Sequence, residues 1–235
     1  MRWLAIVVVA GCARVALPIA PDARPASAPL ATAFVVPGEA MEFKVSLRGI
    51  ALGTVQIAVG RAGWVDGRPA VILRARGASG GLLAAFTQLT WELTTTLDTA
   101  RGFPIRNVED STVTFNGKTE HGRHEDSYFV GDDRHDLHSV ACALRGWRSH
   151  AGERATIQTK IGGARIDAVV WDAGREYLAA AHSHAVRYDG IARDEFPFAI
   201  WISDDGLRVP LAIRTETRWG RVDVQLVEYI PPPQD

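Results

Sequence analysis

Histidine offers the first possible chemistry in this sequence. Six of its seven histidines fall in pairs: His121 and His124, His135 and His138, His182 and His184. Residues two apart on a strand project to one face, so His182 and His184 have a spacing that a metal ion can use. Asp126, Asp132 and Asp136 are carboxylates that could join a ligand set, which would suit a metal-dependent periplasmic hydrolase. Against this, residues 120–138 are strongly polar and read as a solvated hairpin and loop, where histidines are common. We therefore expect no resident metal and no cofactor. The positions at which a metal would sit are His182, His184, His135 and His138.

Other reactive types lack their partners. There is no H-E-x-x-H and no phosphate loop, because the glycine-rich stretch Gly77–Gly81 has no lysine after it. Asp204-Asp205 precedes Gly206 and reads as a turn stabilised by local hydrogen bonds. Ser139 reads as a capping or packing hydroxyl. Arg145, at a helix end, suits the helix dipole or a carboxylate. Cys142 lies in an apolar helical setting and reads as a small core residue.

Cys12 is different. Arg2 is followed by the apolar run Trp3–Ala10, and Val9-Ala10-Gly11-Cys12 has the pattern of a lipoprotein signal cut before a cysteine that then carries acyl chains. Ala13 rather than Asp follows it, which favours the outer membrane over inner-membrane retention. Residues 13–36 hold eight alanines and four prolines. Proline at every third or fourth position forbids a stable helix, so this is an extended tether reaching up to roughly 75 Å. Residues 1–12 are then the signal, 13–36 the tether, 37–230 a single folded body and 231–235 a tail.

The full chain of 235 residues has ordinary globular composition, with 47% hydrophobic and 23% charged residues. Lys plus Arg number 26 against 27 Asp plus Glu, a flat balance with no electrostatic footprint for nucleic acid. Asp66-Gly67, Asn116-Gly117, Gly162-Gly163, Asp189-Gly190 and Asp205-Gly206 are pairs that suit hairpin turns. Period-two alternation in Leu211–Trp219, and at Phe198, Ile200 and Ile202, marks strands. The expectation is a mainly β domain. Its fold is a large curved antiparallel sheet, or barrel-like meander, of about eleven strands with one or two short helices. One helix starts at the N-cap Asp136, shows Leu137, Val140, Ala141 and Leu144 on one face, and ends at Gly146. Gly80–Gln88 is a weaker candidate, either a plug for the barrel end or a lid.

Three stretches together resemble the bacterial domain of unknown function 3108 family. They are Pro37-Gly38-Glu39 with Gly49-Ile50 and Gly53, then Asp136-Leu137-His138-Ser139 running to Leu144-Arg145. The third is Ile200-Trp201-Ile202-Ser203-Asp204-Asp205 with Arg208, Val209 and Pro210. The resemblance spans residues 37–230. It implies an exported, β-rich envelope protein and brings no catalytic residue with it.

The reading is a non-enzymatic, lipid-anchored envelope protein that binds an apolar ligand or a partner protein on a curved sheet. Leu82, Leu83, Phe86 and Trp91 are the candidate ligand contacts. The alternatives are a scaffold lipoprotein with a filled core and the metal-dependent hydrolase. Acylation at Cys12 has a direct test. Cys12→Ser should abolish incorporation of labelled palmitate and leave the protein soluble in the envelope or unprocessed. Labelling equal to the parent would refute the anchor.

Overall fold

The computed structural model describes residues 34–84, 87–115, 118–129, 134–161, 164–192 and 196–233. Hairpin chemistry builds the first half of the chain: β1 (Ala40–Leu47), β2 (Ile50–Val59), β3 (Gly63–Val65), β4 (Arg68–Ser79), β5 (Thr87–Asp98), β6 (Pro104–Phe115) and β7 (Lys118–Tyr128). A four-residue helix, α1 (Gly81–Ala84), interrupts the β4–β5 connection, and α2 (Leu137–Gly146) follows β7. The second half is β8 (Arg154–Ile161), β9 (Ala164–Leu178), a 3₁₀ turn (Ala179–Ala181), β10 (Ser183–Ala192), β11 (Phe196–Ser203), β12 (Pro210–Thr217) and β13 (Gly220–Ile230). Both residues of Asp66-Gly67 have positive φ, 50° and 73°, as a type I′ turn requires.

The thirteen strands among the described residues form one sheet, in the order β7-β6-β5-β4-β2-β1-β13-β12-β11-β10-β9-β8, with β3 on β4. Every ladder is antiparallel. The chain thus makes two meanders, β1–β7 and β8–β13. Pairing of β1 with β13 welds them together at the middle of the sheet.

Helix α2 shows that the sheet is curled. Cys142 packs with Val59, Val71, Leu73 and Leu97 from β2, β4 and β5. Ala143 and Leu144 pack with Ile157, Val170, Val186, Tyr188 and Ile202 from β8–β11. One short helix touches both halves only if the sheet wraps around it. No ladder joins the edges β7 and β8. Instead His135 pairs with Thr159 of β8 in a parallel bridge, and Lys160 Nζ donates to Ser127 Oγ of β7 at 3.2 Å. Edge strand β7 is rich in charged side chains, which discourages pairing with another chain.

The structure departs from the sequence reading at several points. Thirteen strands replace about eleven. Asp189-Gly190 is not a turn but mid-β10, where the ring of Phe198 lies over Gly190 and an added Cβ would come within 2.2 Å of it. Among the described residues of the Gly80–Gln88 segment, only Gly81–Ala84 is helical, and Thr87 and Gln88 belong to β5. Asn116-Gly117 and Gly162-Gly163 lie outside the described residues. In α2 the buried face is His138, Ser139, Cys142, Ala143, Leu144 and Arg145, whereas Leu137 is 47% exposed. Of the expected stripe, Leu144 is buried and Val140 packs on the core, and the inward face extends past them to His138, Ser139 and Arg145, which hydrogen-bond there. The folded body also reaches back to Phe34, whose N–H donates to Cys142 O at 3.0 Å, and Val35 packs on the core around Cys142.

Arg145 and Glu39 form a buried ion pair inside the curl. Removing one partner orphans a charge away from water and costs about 3–5 kcal/mol. Glu39→Ala should therefore lower urea-derived stability by that order. Adding Arg145→Met to it should cost much less than its own single effect, because the two act as a unit. Additive losses in the double mutant would refute the coupling.

Candidate ligand-binding site

The inner face of the sheet has two different ends. At the α2 end it is filled. Arg145 directs Nη1 and Nη2 at the two Glu39 oxygens, the second at 3.0 Å, and donates to Leu207 O and Arg208 O at 3.0 and 2.9 Å. Arg208 answers from the β11–β12 hairpin, donating to Arg145 O, Trp147 O and the Tyr188 hydroxyl at 3.1, 3.0 and 2.7 Å. Tyr188 donates to Trp147 O, its ring stacked on Trp147 at 5.1 Å between centroids. Ser149 donates to Asp172 at 2.6 Å, and Tyr229 donates to Glu39 at 3.2 Å. The three stretches that carry the sequence resemblance thus meet here as Glu39, Arg145 and Arg208. They make a fastener whose three side chains are almost completely buried.

The other end is covered only in part. Val45, Val55, Trp91, Ile213 and Val224 alternate onto the inner face and are half-buried. The core cluster against which Val55 and Val224 rest contains no α2 residue. Helix α1 sits on β2 and β5 at this end. Trp91, the expected contact that the structure places most fully, lies on the inward row of Leu93 and Thr95. Its indole N–H donates to Glu109 Oε1 at 2.9 Å. A depression of about 380 Å³, open to solvent, is lined by residues 76–78, 90–92 and 110–112, mostly from the outward rows Arg76, Glu92, Asp110 and Ala78, Thr90, Thr112. A tighter space of about 80 Å³ lies on the outward face, between the 3₁₀ turn and Trp201, Ala212 and Leu226. Leu82 and Leu83 fall in α1, while Phe86 and Cys12 lie outside the described residues. Glu109 escaped the sequence reading, since nothing in the pattern of β6 tells which of its polar rows turns inward.

The histidines separate. His182 is exposed, in the left-handed region at φ 48°, and His184 is exposed with its ring edge-on to Tyr177 at 5.3 Å. His135 and His138 are not in a solvated loop but buried, at 4% and 3% exposure, because they precede and begin the helix that fills the curl. Asp136 caps α2, accepting from Ser139 N, and Ser139 Oγ accepts from Asp136 N. Thr95 donates to Asp136, so His138 Nδ1 must donate to Thr95 at 2.8 Å. That leaves His138 Nε2 and His135 Nδ1 buried with no partner among the described residues. Burial pushes both imidazoles down, His135 to about 4, although Asp136 pulls the other way. Among the described residues no three of His, Cys, Asp and Glu converge as a metal site. Burial also pushes the Cys142 thiol up to about 12, which leaves it unreactive.

A curled antiparallel sheet around one buried helix defines a β-barrel-like domain that is not closed. The chain matches the family described as protein of unknown function, DUF3108, over residues 42–227, and it belongs to that family. A search of curated proteins found no match. Among solved structures it is similar to a β-barrel-like protein of domain of unknown function DUF1849 from Brucella abortus. That match has a TM-score of 0.53 at 9% identity, over 86% of this chain and 100% of the other. Weaker likenesses are a Bacteroides fragilis protein with a YmcC-like fold (TM-score 0.39, 10% identity, 85% and 99% covered) and the Mycobacterium tuberculosis lipoprotein LppX (TM-score 0.23, 9% identity, 84% and 89% covered).

The buried histidines make stability depend on pH. Their folded-state values lie below the unfolded value of about 6.5, so the unfolded chain takes up protons first. Stability should be full above about pH 6.5 and fall as the pH approaches 4. His135 contributes on the order of 3 kcal/mol of that fall. His135→Phe, which keeps a ring against Phe103, should flatten the dependence in urea titrations at stepped pH. An unchanged slope would refute the assignment.

Proposed function

We propose that this chain is the folded body of a non-enzymatic, lipid-anchored protein of the cell envelope. The uncovered end of its curled sheet would hold an apolar or amphiphilic ligand. The observation that carries this is the half-buried apolar row of Val45, Val55, Trp91, Ile213 and Val224, facing inward outside the core that α2 fills. Inward apolar surface that the protein does not itself cover is what an acyl chain would take from water, at about 0.8 kcal/mol per buried CH₂. Helix α1, with Leu82 and Leu83, sits beside this row and is the natural cover for a bound chain.

Anchoring at Cys12 rests on the run Val9-Ala10-Gly11-Cys12, and the Ala/Pro-rich stretch would let the body stand off the membrane. The fold is compatible with that placement, since Phe34 enters the body beside α2, at the filled end. The ligand end then remains free. The filled α2 end favours a second reading, a scaffold lipoprotein whose curl serves only to fold the chain.

Titration separates the two readings. A fatty acid or lysolipid should bind with low-micromolar affinity, and Leu83→Asp should weaken it at least about tenfold, or 1.4 kcal/mol, with an unchanged circular dichroism spectrum. Flat titrations with several lipids, or equal affinity in the mutant, would refute the ligand-binding reading in favour of the scaffold.

A further inference from the structure

The inner face carries a carboxylate at Glu109, between the apolar Leu93 of β5 and Glu125 of β7. Glu109 lies opposite Leu93, which is 4% exposed, so it points to the same inward side. It is half-buried, and its hydrogen bond is from a neutral donor, the Trp91 indole N–H at 2.9 Å. Among the described residues no cation pairs with it. Arg123, the inward cation on the neighbouring strand, is engaged with Glu125, and Lys160 reaches Ser127 instead. Glu125 sits directly opposite Glu109 across the β6–β7 ladder, and like charges so placed are unfavourable. A half-buried carboxylate without a counter-charge costs free energy that a bound cation would recover.

Trp91 completes the arrangement. A Cβ added to Gly77 would stand 3.4 Å from Trp91 Cε3 and 3.6 Å from Val55 Cγ2, so the indole rests against the glycine, beside the apolar row. The indole N–H is held by Glu109, which fixes the ring plane next to the carboxylate. A fixed tryptophan face with a carboxylate at its edge suits a cation, through the ring quadrupole and through charge. The apolar row starts from the same ring and suits a hydrocarbon chain.

We propose that Trp91 and Glu109 form a head-group site for an ammonium-bearing amphiphile whose chain lies along the uncovered inner row. This rests on the ligand-binding reading above and adds the chemical class of the ligand. Selectivity comes from Glu109, while most of the affinity comes from the apolar row.

Calorimetric titration of the intact protein with three single-chain probes of equal length, all below their micelle concentrations, tests it. The probes are dodecyltrimethylammonium, dodecyl sulfate and an uncharged dodecyl ether. The ammonium probe should bind at least about tenfold more tightly than the ether, and the sulfate more weakly than either. Glu109→Gln should erase the ammonium preference and leave the ether affinity unchanged. Glu125→Gln, whose carboxylate is engaged with Arg123, should keep the preference. Equal affinity for the three heads, or a preference that survives Glu109→Gln or vanishes in Glu125→Gln, would overturn the head-group site while the apolar site stands. No binding by any probe would overturn the ligand-binding reading itself, and this proposal with it.

Discussion

The buried pair of Glu39 and Arg145 is the interaction on which the rest of this structure depends. Two charges inside a curled sheet are costly to desolvate, and they persist only where every donor and acceptor finds a partner. Here Arg145 meets both Glu39 oxygens and two backbone carbonyls, with the Phe34 ring 5.2 Å from its guanidinium carbon. Glu39 stands just before β1, Arg145 near the end of α2, and the accepting carbonyls of Leu207 and Arg208 in the β11–β12 hairpin. One side chain therefore ties the two meanders and the helix together at a single point. Arg208 repeats the bond in the other direction by capping carbonyls at the end of α2.

That fastening explains the division of the inner face. With α2 held at one end, its side chains fill the curl there, and Leu97, Ala155, Val170 and Tyr188 are completely buried. The helix is ten residues long, about 15 Å, while β9 runs for fifteen residues, roughly 50 Å. A helix that short cannot line strands that long. The remainder of the inner face keeps its alternating apolar residues half-covered, and Trp91 and Glu109 lie there. The closely packed core lies at one end, and the half-buried apolar residues lie at the other.

Much of the architecture was legible in the sequence, because hairpins and alternation are local. Asp66-Gly67 turns as its residue types demand, and the capping pair Asp136 and Ser139 starts α2 where the pattern places it. The stretches around Glu39, Arg145 and Arg208 were visible as a recurrent pattern, although their separate positions gave no sign that they touch. The candidate site was less legible. Trp91 could be named as a large aromatic near a glycine-rich stretch, but Glu109 could not be paired with it. His135 and His138 were misplaced into solvent because their neighbours are polar, although polar neighbours that bond one another can be buried.

The sequence by itself determined the hairpins, the strand periodicity, the helix start and the family pattern, since each depends on residues within a few positions of one another. The tertiary structure alone decided which face of α2 is buried, that β1 pairs with β13, and which carboxylates point inward. Those outcomes depend on contacts such as Glu39 with Arg145, 106 residues apart, where the partner and not the local residue type sets the energy.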